Sequence, residues 1–317
     1  MRFFSLCLAV VVLAAGVACT RQGATGVSVD SNFKPFLPSA VLGLAQVDLQ
    51  ALKKTQFYER HQTALQAQGF DAMAERVGID ARRDVAKVLL VWDGKKPLAL
   101  AAGQFQAETV DAKLANLGAQ RSSYRNYTLL GNPEDAGREA VAFISDHLAV
   151  AGPVSAVHQA LDDRANGSGA IPDALRNQLS KLHKEDQIWA VSSGPLLANV
   201  PLRSDVESAL SNISNFIMQA RAGLAVDSGI RLDAEITCIS NEGAQRVRDA
   251  LRGGIGLARL ATNNNNFDML RLWDAFKVSQ NGAVVDIMAD ISPALADKLV
   301  ANAPQIRERA REELRQR

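Results

Sequence analysis

Two dipeptides, Asp93-Gly94 and Asn281-Gly282, each stand between a pair of apolar-rich runs, and they restrict the fold more than any other feature of the chain. Asp-Gly and Asn-Gly favour tight turns whose left-handed backbone matches the twist of paired strands. The spacing predicts hairpins joining Lys87–Trp92 to Pro97–Phe105 and Lys277–Gln280 to Ala283–Asp290. Hairpins in both halves call for antiparallel sheet, and the helical stretches between them set the class as α+β.

The remaining elements fall in a similar order in the two halves. An alternating run, Val41–Leu49, reads as a strand, followed by a helix over Gln50–Gln68 with Leu52, Phe57 and Leu65 as core candidates. Helices follow at Ala72–Val77, Ala107–Leu117 and Val154–Leu161, with strands at Tyr127–Leu130, Ala140–Ser145 and Leu148–Ala151 between the last two. The second half opens with the strand Gln187–Ser193. The capping box Ser204-Asp205-Val206-Glu207 then starts a helical stripe of Val206, Ala209, Leu210, Ile213, Phe216, Ile217 and Ala220. Strands near Ala222–Val226 and Arg231–Cys238, and helices at Glu242–Ala261 and Phe267–Trp273, precede the second hairpin. Ser292 and Pro293 then begin a last helix. The expected architecture is two similar halves, each an antiparallel sheet with helices packed on one face. The halves occupy 39–161 and 187–304, joined by a Gly/Ser-containing polar linker at 162–186 and followed by a charged helical tail at 305–317.

The first twenty residues decide the compartment. Arg2 is followed by an apolar run of 15 residues, Phe3 to Val17, and then by Cys19. This is the layout of an export signal, residues 1–18. The run is shorter than the ~20 residues that span a bilayer as a helix. Gly16-Val17-Ala18-Cys19 resembles the lipobox of bacterial lipoproteins, although that family usually carries Leu where Gly16 stands. The resemblance implies cleavage between Ala18 and Cys19, acylation of the Cys19 thiol, and residues 19–38 as a lipidated tether. The alternative is a plain secretory signal cut at Ala15 or Ala18. Thr20 follows Cys19 where inner-membrane lipoproteins often carry Asp, so the resemblance favours the periplasmic face of the outer membrane.

Charge and cysteine content narrow the partners. Beyond the signal, whose only charged residue is Arg2, Lys+Arg and Asp+Glu stand at 34 each. A neutral chain lacks the clustered basic excess that nucleic acid rewards. Of three cysteines only Cys238 lies beyond the signal and its cut site, within the strand-like LDAEITCIS, where a buried inert thiol is expected. His61, His147, His158 and His183 do not fall at metal-ligand spacing, so neither metal nor cofactor is expected. The expected partners are the membrane, through the lipid anchor, and an envelope protein; no small-molecule ligand is named by the sequence.

The segment Gly78-Ile79-Asp80-Ala81-Arg82-Arg83-Asp84-Val85, with this element order, resembles exported acidobacterial-type lipoproteins that carry a GxDxRRDV-like loop and a duplicated α+β domain. The resemblance implies no particular activity. Within the segment, Arg82 and Arg83 are candidates to hold a phosphate or carboxylate, or else they pair with Asp80 and Asp84. A second candidate is a carboxylate face: Asp233 and Glu235 alternate away from the apolar side of one strand, Asp286 and Asp290 from that of another. As neighbours they could do acid–base work or bind a hard cation; the plainer account is the solvent side of a one-sided sheet. The favoured reading is a membrane-anchored envelope lipoprotein with a binding or assembly role. A carboxylate-based hydrolase and a carrier of an apolar ligand are the alternatives.

Overall fold

The computed structural model describes residues 26–65, 74–75, 78–131, 139–167, 169–194 and 213–302. The signal, Ala18, Cys19, the capping box at Ser204 and the tail 305–317 lie outside these residues.

The protein is α+β, and among the described residues its strands form one twelve-stranded antiparallel sheet. In chain order they are β1 (Gly43–Asp48), β2 (Val85–Trp92), β3 (Pro97–Gly103), β4 (Gln120–Tyr124), β5 (Tyr127–Gly131), β6 (Glu139–Ser145), β7 (Leu148–Pro153), β8 (Ile188–Ser193), β9 (Ile217–Val226), β10 (Ile230–Cys238), β11 (Phe276–Asn281) and β12 (Val284–Ile291). Across the sheet the order is β11-β12-β10-β9-β8-β1-β2-β3-β7-β6-β5-β4. The two halves are therefore joined edge to edge, β1 pairing with β2 on one side and with β8 on the other.

The helices are α1 (Leu49–Leu52), α2 (Gln56–Leu65), α3 (Ala81–Asp84), α4 (Ala107–Asn116), α5 (Val154–Asn166), α6 (Asp173–Leu179), α7 (Asn241–Ala261) and α8 (Phe267–Ala275), with further helical residues at 293–302. Period-two alternation sends Leu44, Leu89, Val91, Leu100, Trp189 and Val191 to one face, where α5 and α6 cover them in the largest core. The opposite face carries Val88, Ala101 and Val141 in the first half and Leu224, Val226, Ile230, Val285 and Ile287 in the second. There α7, α8 and residues 293–302 supply the packing partners for β9–β12. Cys238 is buried on this face, and burial pushes its thiol pKa up, which disfavours the thiolate.

Three sequence expectations are corrected. Residues 26–38, read as tether, are structural: Val29, Phe33, Phe36 and Leu37 sit in the largest core, around a 3-10 turn at Lys34–Phe36. The linker at 162–186 contains the last turn of α5 and all of α6, and buries Leu175, Leu179 and Leu182. The helical stripe does not reach Ala220, because β9 already begins at Ile217 and pairs with β10 and β8.

The outermost strand β11 leaves one edge to manage. Arg252 of α7 donates from Nε and Nη2 to the Val278 carbonyl at 3.1 and 2.6 Å, occupying an acceptor that another strand could use. Arg252→Ala is expected to increase self-association, read by sedimentation velocity across a concentration series. An unchanged sedimentation profile would show that the edge is guarded by other means.

Candidate functional site

The Arg82/Arg83 segment folds as the four-residue helix α3, with Asp80 as its cap accepting from Arg82 N–H at 3.0 Å. Arg82 grips the same carboxylate through Nε and Nη2, both at 2.8 Å. The Arg82 hydrogen bond, against the opposing effect of burial, holds the Asp80 pKa below the ordinary carboxylate value. Arg83 bonds Asp84 at 2.7 and 3.2 Å, and Asp84 also accepts from Asp80 N–H at 2.8 Å. Both guanidiniums are thus engaged by neighbouring carboxylates.

Three of the four carboxylates, Asp233, Glu235 and Asp286, come together on neighbouring strands, and Asp290 does not join them. Glu235 of β10 lies opposite Asp286 of β12, and Asp290 opposite Arg231. Arg221 of β9 reaches across to Asp233 at 2.6 Å and Glu235 at 3.1 Å, while Lys181 approaches Glu235 at 3.3 Å. Burial, with Glu235 and Asp233 nearby, raises the Asp286 pKa above its usual value. Asp290 is exposed at the end of its strand, away from this cluster. Asp233 and Glu235 are tied down by one guanidinium, an arrangement that stitches β9 to β10. Among the described residues, no group of His, Cys, Asp and Glu could hold a metal ion.

A third place escaped the sequence reading. The stretch expected as one helix over 50–68 is broken after Leu52. Thr55 Oγ1 donates to Leu52 O at 2.8 Å and accepts from Tyr58 N–H at 3.2 Å, so it ends α1 and starts α2. The break separates α1 from α2, and a groove of about 280 Å³ lies between them beside the β1–β8 junction. Its walls are Leu49, Leu52, Phe57, Ala81, Ile188 and Val226, and its polar members include Lys53, Tyr58, Gln62 and Arg82. Residues from five separate segments meet here, so no local motif marks it. The Thr55 cap, in the middle of an apolar helical pattern, is the one signal that could have shown the break.

The far end of α2 is pinned. His61 Nε2 lies 2.7 Å from Asp297 Oδ1, and Arg60 donates to Asp297 at 3.1 Å and to the Ser228 carbonyl at 2.6 Å. The hydrogen bond from His61, opposed by burial and then aided by those of Arg60, keeps the Asp297 pKa below its usual value. The roof of the groove is thereby fixed to the β9–β10 turn. On the opposite face of the sheet, a polar recess of about 450 Å³ is lined by Gln46, Asp48, Lys87 and Asp186 among others. Lys87 is already shared there between Asp48 at 3.5 Å and Asp30 at 3.9 Å.

Fold and groove together define an α+β protein built on one broad antiparallel sheet, with an apolar groove where its two wings meet. The sequence matches no family profile and no curated protein. Similar solved structures include three crystal forms of TP0453: form I (9% identity, TM-score 0.44), form III (10%, 0.48) and form IV (9%, 0.46). They cover 87, 86 and 86% of this chain and 98, 99 and 97% of theirs.

Proposed function

We propose that this protein is an exported lipoprotein, held in the cell envelope by acylated Cys19, whose role is binding rather than catalysis. The observation that carries the binding role is the groove: an apolar recess left open beside α1 and α2. The lipobox-like Gly16-Val17-Ala18-Cys19 supports the anchor, and Thr20 the outer membrane. Two acyl chains hold a protein stably where one holds it marginally, so membrane residence depends on Cys19. The groove favours carriage of an apolar ligand over an assembly role. The hydrolase reading is weaker, because Arg221 engages both Asp233 and Glu235.

Mass spectrometry of the N-terminal peptide from membrane-purified protein is expected to find Cys19 at the terminus with its acyl mass. Cys19→Ser is expected to move the protein out of the acylated membrane fraction. A wild-type N-terminus starting elsewhere, without acyl mass, would overturn the anchor.

A further inference from the structure

The groove has a chemical bias beyond being apolar. Two cations line it, Lys53 and Arg82; Arg82 and its neighbour Arg83 stand beside the carboxylates Asp80 and Asp84. The carboxylates are consumed by the arginines: Asp80 by Arg82 and Asp84 by Arg83. Lys53 is left over. It is half-buried, its Nζ donates only to the Val85 carbonyl at 3.3 Å, and no carboxylate among the described residues pairs with it. An ammonium with spare donors beside an apolar slot suits a ligand that is greasy along its length and negative at one end.

We propose that the groove binds a single-chain anionic amphiphile, the acyl chain lying between Leu49, Leu52, Phe57, Ile188 and Val226 and the carboxylate or phosphate head meeting Lys53. Tyr58 and Gln62 supply further hydrogen-bonding groups for the head. Thr55 shapes the slot and is itself satisfied within the backbone. A cationic amphiphile would meet net positive charge here and is selected against. A neutral chain fills the slot without using Lys53. The proposal names the ligand class for the binding role above, and it does not depend on whether Cys19 is acylated.

The test uses the full chain as cells process it, held in phosphatidylcholine nanodiscs, and a photoactivatable dodecanoate as probe, with the matching dodecanol as neutral control. Crosslinked peptides are expected to cover Leu49–Tyr58 and the strands bearing Ile188 and Val226, and unlabelled dodecanoate should compete. Lys53→Glu, with Lys53→Gln as a milder second variant, is expected to weaken dodecanoate labelling about tenfold, the value of one charge-assisted contact, while dodecanol labelling stays the same. Ala81→Trp, filling the slot, should abolish both labels with the circular dichroism spectrum unchanged. The proposal is overturned by labelling spread outside the groove, by labelling that survives a folded Ala81→Trp, or by equal losses of both probes in the Lys53 variants. The same spectra report the mass on Cys19, so failure of the anchor and failure of the ligand are read separately.

Discussion

Phe33→Ala is expected to lower the unfolding free energy by about 3–5 kcal/mol, the range for emptying a fully buried aromatic site. The residue lies in a stretch of Gly, Ser and Asp that looks like linker, where such a change would ordinarily cost nothing. In the structure its side chain is 0% exposed, and Phe36, Leu37 and Val29 surround it at 1%, 0% and 2%. The segment is tied in at both ends. Gly26 N–H donates to Leu182 O at 2.7 Å, and the Lys34 carbonyl lies so close to Gly169 that an added Cβ there would overlap it. Arg164 of α5 stacks over the Phe36 ring at 5.1 Å and closes the site from outside. Urea unfolding of wild type and variant at one pH measures the difference. A cost within about 0.5 kcal/mol, the ordinary level for surface changes, would mean that residues 26–38 contribute little to the core.

The second large effect is expected at Arg221. Arg221→Ala should cost about 2–4 kcal/mol at neutral pH, because it leaves Asp233, Glu235 and Asp286 facing one another without their shared cation. The range stays below that of a fully buried pair because Asp233 is partly exposed. The pH dependence has a definite sign. Burial and the two neighbouring carboxylates already raise the Asp286 pKa in the folded state, and the Arg221 charge opposes them. A carboxyl with a raised folded pKa favours the folded state in acid, and that advantage is lost as pH rises through the folded value. Removing Arg221 raises Asp286 further. The gap in melting temperature between wild type and variant should therefore be small near pH 3–4, around the ordinary carboxylate pKa, and widen toward neutrality. A gap that stays constant with pH would assign the loss to packing of the arginine stem rather than to charge.

What was legible in the sequence follows from how local each signal is. The hairpin turns at Asp93-Gly94 and Asn281-Gly282 carry their geometry in two residues, and Gly94 and Gly282 do adopt positive φ, at 91° and 58°. The strands they join fall close to the expected bounds. The carboxylate alternation on β10 and β12 placed Asp233, Glu235 and Asp286 on one face because the side-chain period of a strand is fixed. β4 went unread, since Gln120–Tyr124 has no apolar alternation. Its turn, Arg125-Asn126, puts two non-glycine residues at φ 48° and 65°, where only Asn126 gives a sequence hint.

Ile217 and Ala220 continue a helical spacing from Ile213 and Phe216, yet pairing with β8 and β10 overrides that periodicity. Leu175, Leu179 and Leu182 sit at helical spacing inside a polar stretch, and composition hid them. The groove was the least legible part: Leu52 and Phe57 were correctly seen as apolar and inward, but nothing local says that the space between them stays open.

The way Gly26 and Val27 are held has a geometric consequence. Gly26 and Val27 hydrogen-bond to Leu182 and Leu179 beside β8, and the following segment runs under β1 and β2, at the middle of the strand order. Twelve strands at their usual spacing make a slab about 50 Å wide. Whatever grips the residues before Gly26 therefore holds this slab by its waist, not by a tip. The two wings reach equally far from that point, five strands lying beyond β1 on one side and five beyond β2 on the other.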